Sequence, residues 1–263
     1  MPLLQRKHTI AAPLHSLPIS LCAANGAAIH TFPADLISSI RHLENTLTYN
    51  NTLPKCLAVV AALSGEGVTY MSIALATTLA NDRQASVCVA ELNWYTPGMI
   101  TRLSQPAPAR PPRHKRPADA LADSESFDGG PGLAGVLTQS CTLDQALVAT
   151  ATPNLYLLPA GDLPQHLRPA MARGTALKQC LAQLCERFDM LVLDIPAVQL
   201  TSDAVALASL AQGCCLVIRQ GVTPVSHVRA ALDDLAHLNI LGVILNQVSS
   251  KLPRWMHALV PQE

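Results

Sequence analysis

AALSGEGVTYMS, residues 61–72, follows the apolar run Leu57-Ala58-Val59-Val60-Ala61-Ala62 and opens a helical pattern from Ile73 to Ala80. Strand, glycine-containing turn, helix is an arrangement that suits a phosphate group. Backbone N–H groups converge at the helix N-terminus, and small residues let the chain approach the anion closely. Gly65, Gly67 and Thr69 supply such a cradle, and the Thr69 hydroxyl sits where a phosphate-loop Ser or Thr would bind Mg²⁺. The same turn would also serve as a plain tight connection. A phosphate loop of this shape should carry a lysine after its second glycine, and here that place is Val68.

Composition narrows the classes. The 263 residues are 49% hydrophobic and 14% charged, enough to bury a proper core. The 18 basic and 18 acidic side chains cancel, so no global field draws nucleic acid or an acidic membrane. Aromatic residues at 3% argue against base-stacking platforms. Nucleic acid is therefore not an expected partner. None of the eight cysteines forms a CxxC pair, and they read as buried free thiols. The nine histidines are scattered without HxxxH or HExxH spacing, and no GxSxG turn occurs. No uninterrupted apolar stretch is long enough to span a bilayer, and the chain reads as cytoplasmic.

Along the chain, residues 1–33 suggest a mobile leader. A helix is expected from Pro33-Ala34-Asp35, with Leu36, Ile37, Ile40, Leu43 and Leu47 at helical spacing. Strands are expected at 56–62, 86–92, 154–158, 189–195, 214–219 and 240–245. Helices are expected at 70–82, 133–138, 143–149, 175–187, 203–210 and 224–238. Apolar strands alternating with amphipathic helices predict one α/β domain over 34–250, a parallel central sheet covered by helices on both faces. Residues 104–132, rich in proline, charge and glycine, read as a disordered insertion. Their cluster Arg110, Arg113, Lys115 and Arg116 suits either a solvated tether or contact with phosphate or anionic lipid. Residues 251–263 form a short tail.

Ligands in such sheets bind beyond the carboxyl ends of the strands. Asp194 ends a buried strand where phosphate-loop proteins hold Mg²⁺ through an acidic residue, although a helix cap or loop-stabilising role fits it too. Glu91 and Asn93 end the other candidate central strand.

With these residues in place, the sequence resembles the cytoplasmic ATPase domain of the bacterial tyrosine kinases that regulate capsule and exopolysaccharide export. Those kinases are relatives of the MinD/ParA class of P-loop ATPases. The resemblance runs from about Asp35 to Ser250 and is carried by residues 132–164, by FDMLVLDIPAVQLTSDAVALASLAQGCCLVIRQGVTP (188–224) and by LGVILNQV (241–248). It implies a P-loop NTPase-like fold with a nucleotide site at Gly65, Glu66, Gly67, Val68, Thr69 and Tyr70. Thr69 and Asp194 would hold Mg²⁺, and Asn246 would contact adenine. It also places the family's oligomerisation helix at Asp35, Ser38 and Arg41.

The departures from the family pattern are substantial. Val68 replaces the lysine that neutralises charge on the phosphate oxygens. Glu91 and Asn93 stand where the second acidic motif presents two aspartates. The family's Glu, Arg, Arg series on the oligomerisation helix survives only in part. The tyrosine-rich tail is replaced by SSKLPRWMHALVPQE. The expectation is a catalytically degenerate relative, a regulatory or scaffolding subunit with weak ATP or ADP and Mg²⁺ binding or none. Its partner would be a membrane-spanning polysaccharide chain-length or export protein or a paralogous kinase, with homo- or hetero-oligomers possible and a location at the inner membrane through that partner. The alternatives are an active ATPase or tyrosine kinase that recruits a substitute cation from Lys55 or the 110–116 cluster, or a MinD/ParA-like positioning ATPase. The positioning role calls for an amphipathic membrane-targeting helix at the C-terminus, and none is read there.

Overall fold

The computed structural model describes residues 18–22, 28–100 and 130–247. Its first elements depart from the sequence reading. β1 (Ile19–Cys22) and β2 (Ala28–Phe32) pair antiparallel inside the stretch expected as a mobile leader. A two-stranded hairpin is marginal alone. This one is fixed by tertiary packing, because Leu21 and Phe32 are buried in the cluster that includes Met71, Leu75 and Leu79. The rings of His30 and Phe32 lie against Tyr70, with centroids 5.4 Å from it in both cases.

α1 (Ala34–Tyr49) starts directly after Pro33, whose fixed φ suits the position before a helix, and buries Ile37, Ile40 and Leu47. α2 (Val68–Arg83) is buried on nearly every side from Met71 to Ala80, between the sheet below and the hairpin and α1 above. That explains why its sequence shows no polar face. The C-terminal end of α2 is clasped to the second half of α1. Arg41 Nε and Nη2 donate to Asp82 Oδ2 and Oδ1 at 2.6 and 3.0 Å, and Arg83 pairs with Glu44.

Arg41, expected at a subunit contact, is thus engaged within its own chain, while Asp35 and Ser38 are exposed. Reversing this charge sets a carboxylate against Asp82 and near Glu44. Arg41→Glu is expected to lower stability by about 1–2 kcal/mol, allowing for partial solvent screening. Urea denaturation measures it, and an unchanged midpoint would show that the clasp adds nothing.

β3 (Cys56–Ala61), β4 (Val87–Glu91), β5 (Val148–Ala149), β6 (Leu155–Leu158), β7 (Met190–Asp194), β8 (Gly213–Arg219) and β9 (Ile240–Asn246) form one sheet in the order β5-β6-β4-β7-β3-β8-β9. All neighbours are parallel except β5 with β6. β3, β4 and β7 are buried throughout, as the uninterrupted apolar runs predict. α1, α2 and the hairpin cover one face. The other face is covered by α3 (Gly132–Leu137), α4 (Leu143–Ala146), α5 (Arg168–Arg173), α6 (Thr175–Arg187), α7 (Asp203–Ala208) and α8 (Val225–Asp234).

The helix expected over 143–149 ends at Ala146 and gives way to β5, although its start is well made. Thr142 and Gln145 close a capping box in which each side chain meets the other residue's backbone N–H. α5 was not expected, and α8 stops short of Leu238. The insertion, apart from residues 130–132, and the tail 251–263 lie outside the described residues.

Candidate functional site

Sheet order places the site. The chain leaves β3 for β4 on one side and later leaves β7 for β8 on the other, so the direction of winding reverses around β3 and β7. The crevice at such a switch point is where α/β sheets bind ligands. The turn into α2, Asp194 and Glu91 all lie at this end, with Asp194 in register with both Val59 and Glu91.

The 62–67 turn is built as the sequence suggests. Gly65 and Gly67 have φ of +85° and +96°, where a side chain would be strained. A Cβ at Gly65 would meet nothing within 4 Å, whereas one at Gly67 would come within 2.2 Å of Asn246 Nδ2. Two hooks brace the turn. Asn246 Nδ2 donates to the Glu66 carbonyl at 2.8 Å. The Glu66 carboxylate accepts from Leu63 N–H at 2.9 Å and from the Thr223 hydroxyl beyond β8. Asn246 is therefore next to the turn, as the resemblance implies, and its amide already bonds the loop. Gly67→Ala is expected to displace Asn246 and cost about 1–3 kcal/mol. Thermal denaturation measures the loss, and a wild-type melting temperature would mean that the turn relaxes freely.

Two cavities meet at Gly65 and Gly67. The first, about 400 Å³, lies over the N-terminus of α2 and is walled by Leu63–Gly65, Gly67–Thr69, Asn93, Thr96–Gly98, Ile195 and Ala197. Among these lining residues there is no Lys, Arg, His, Asp or Glu. The helix end and loop amides supply the positive potential there. The second cavity, about 690 Å³, runs between α1, the start of α2 and β9, with Tyr70, Met71 and Asn246 in its wall. A polar half at a helix N-terminus joined to an apolar half matches the two ends of a nucleoside phosphate.

The acidic positions divide. Glu91 is only 1% exposed and turned away from the phosphate cavity. Its Oε1 accepts from Gly98 N–H at 2.6 Å and Met99 N–H at 2.9 Å, and its Oε2 from Ala160 N–H at 3.1 Å. It ties the loop after β4 to the loop after β6. Asn93 braces the turn after β4, accepting from Thr96 N–H at 3.0 Å, and lines the cavity. Asp194 is fully buried and does not line the cavity, whereas Thr69 does. Glycine spacing, backbone donors and the Thr69 hydroxyl thus fit a phosphate with Mg²⁺, and the charge does not.

Burial pushes the Glu91 carboxyl above the usual carboxylate range, against three N–H donors that favour its ionised form. The stability this group contributes is then fully present below the unfolded-state value of 4.5 and lost as pH rises through the folded-state value. Glu91→Gln cannot ionise and is expected to flatten that slope in pH-dependent thermal denaturation. Parallel pH profiles for the two proteins would show that Glu91 does not titrate.

A second cluster lies beside the site and was missed in the sequence. The Tyr95 hydroxyl donates to the buried Asp203 carboxylate, which also pairs with Arg173 at 2.6 Å, and Arg168 stacks 5.3 Å over the Tyr95 ring. Burial first, and then Asp203, raise the Tyr95 phenol pKa. These residues are far apart in sequence, and no local pattern joins them. Lys55 precedes β3 and is separated from the turn by the whole strand, roughly 20 Å. The arginines of 110–116 lie outside the described residues.

No family model matches the chain. It is 30% identical over 118 residues to the tyrosine-protein kinase YwqD of Bacillus subtilis (strain 168), 44% of this chain and 49% of that protein. It is 25% identical over 197 residues to the succinoglycan biosynthesis transport protein ExoP of Rhizobium meliloti (strain 1021), 73% of this chain and 22% of that protein. The matched segment spans about half the length of YwqD. Among solved structures, the chimerical protein CapA2B2 superposes with a TM-score of 0.68 at 15% identity, covering 81% of this chain and 85% of that one. MinD of Pyrococcus horikoshii, complexed with Mg-ADP, superposes with a TM-score of 0.54 at 20% identity, covering 78% and 76%. The chain's homologues are bacterial tyrosine-protein kinases, and its fold is that of the P-loop NTPases.

Proposed function

We propose that this chain is a catalytically degenerate relative of the capsule and exopolysaccharide tyrosine kinases, retained as a regulatory or scaffolding subunit that binds nucleotide weakly. The observation that carries this reading is the phosphate cavity without a charged side chain in its wall. Phosphoryl transfer depends on cations that stabilise charge on the equatorial oxygens. Val68 cannot do so, and Glu91 is committed to three backbone amides. Thr69 and Asp194 would hold Mg²⁺, which when bound offsets phosphate charge. The turn amides would hold the phosphates, and the cavity beside Tyr70 and Asn246 would take the base.

Kinship with ExoP and with the capsule kinases supports the pathway. On that basis we assign the subunit a membrane-spanning polysaccharide-export partner, or a paralogous kinase, and a peripheral place at the inner membrane. Among the described residues no helix is long and apolar enough to cross a membrane.

Calorimetric titration with Mg·ATP and Mg·ADP tests the site. The missing cation is expected to weaken binding by about 2.7–4 kcal/mol, or two to three decades. An ATP dissociation constant below about 1 μM would overturn the reading.

A further inference from the structure

Four of the eight cysteines meet in two pairs between α6 and the sheet. Cys56 on β3, Leu191 on β7 and Cys88 on β4 share one register level. All three face the cluster that α6 covers with Leu177, Cys180, Leu181 and Leu184. Cys180 lies close to Cys88. Cys185, in the last turn of α6, meets Cys56, and the two thiols hydrogen-bond each other.

Access separates the pairs. Cys88 and Cys180 are 0% and 4% exposed, so an exchange partner reaches neither of them. Cys56 is also buried, but Cys185 is only half-buried and opens its pair to solvent. Cys214 and Cys215 are consecutive on β8 and point to opposite faces of the sheet, which prevents a bridge between them. A disulfide needs two sulfurs already close together and one reachable thiolate. Cys56 with Cys185 meets both demands.

We infer that Cys56 and Cys185 form a redox-modification site, which a small disulfide such as glutathione disulfide closes into a bridge tying α6 to β3. The Cys185 thiolate attacks one sulfur of glutathione disulfide, the S–S bond breaks, and one glutathione thiolate leaves. The Cys56 thiolate then attacks the Cys185 sulfur and expels the second. Two protein thiols are oxidised, one glutathione disulfide is reduced, and both protons end on glutathione. Burial, and then Cys185, push the Cys56 thiol up to about 12, so its thiolate is scarce and the second step is slow. Cys56 begins β3 at the end opposite the phosphate turn, so the inference does not rest on the nucleotide reading.

The test incubates the folded full chain for hours with excess glutathione disulfide and alkylates the remaining thiols with N-ethylmaleimide. Unreduced peptides are then mapped by mass spectrometry. A peptide pair joined through Cys56 and Cys185 is expected as the main crosslink, with Cys88 and Cys180 still reduced. Cys185→Ser should abolish the crosslink, and Cys56→Ala should leave Cys185 carrying glutathione. Wild-type Cys185 that is unmodified, or that carries glutathione alone, would overturn the inference. So would Cys185 joined to a different cysteine, in the same chain or in a second copy. A Cys56–Cys185 bridge that forms only in urea would overturn it equally, because the native contact would then not be its origin.

Discussion

No phosphotyrosine and no ATP hydrolysis above the buffer rate are expected when the purified protein is incubated with Mg·ATP. Removing a single preorganised electrostatic contact to a developing oxyanion already costs about two to three decades in rate. Here the cavity wall offers no cation at all among the described residues, and Val68 contributes only apolar surface where the lysine of related loops would stand. The acceptor side is equally unfavourable. Tyr95 is bonded to Asp203, Tyr70 packs on His30 and Phe32, and Tyr156 packs on Phe188, leaving Tyr49, at 92% exposure, as the open hydroxyl on α1. Restoring Val68→Lys alone is expected to recover little activity while Glu91 stays bound to the backbone. Radiolabelled ATP with phosphotyrosine detection makes the measurement. A wild-type signal lost in both Tyr49→Phe and Asp194→Asn would mean that the site works without its lysine.

Much of this architecture was legible because it rests on local pattern. The apolar runs at 56–62 and 189–195 contain strands buried on both faces, and their short length and β-branched content between turn residues identify them. The glycine turn was equally readable, since positive φ at Gly65 and Gly67 is a demand that few residues other than glycine meet. The hairpin was missed for a different reason. Its strands are too short for a periodic signal, and its stability comes from burying Leu21 and Phe32 on α2. The Asn25-Gly26 pair between the strands was the available cue, being the dipeptide that tight hairpin turns favour. In the site, sequence could rank Glu66 and Asn246 as nucleotide contacts but not reveal that both brace the loop. That role depends on Thr223 and on the β8–β9 pairing, which sequence spacing does not encode. Arg41 and Asp82 likewise meet across 41 positions, and only the packing of α1 on α2 brings them together.

Glu91 gives the sharpest separation between a structural acid and a remnant of catalysis, and Glu91→Ala is expected to destabilise the fold by about 3–5 kcal/mol. The size of the loss comes from the groups left behind. The N–H groups of Gly98, Met99 and Ala160 all point at this one carboxylate in a buried site, and alanine would leave three donors without an acceptor. Each such orphan costs about 1–3 kcal/mol, with water entry reducing the sum. Against a total stability of about 5–15 kcal/mol for a domain, the variant would stand near unfolding. Glu91→Gln keeps one carbonyl oxygen for Gly98 and Met99 but turns an amide towards Ala160 N–H, so an intermediate loss is expected. A carboxylate kept only for Mg²⁺ or for proton transfer would behave in the opposite way. Its removal would relieve a buried charge and leave the denaturation midpoint unchanged or raised, with the effect confined to nucleotide binding. Urea denaturation of the three proteins without nucleotide distinguishes the cases. If Glu91→Ala falls within about 1 kcal/mol of the wild type, the three-amide bridge is not what holds the loops after β4 and β6 together.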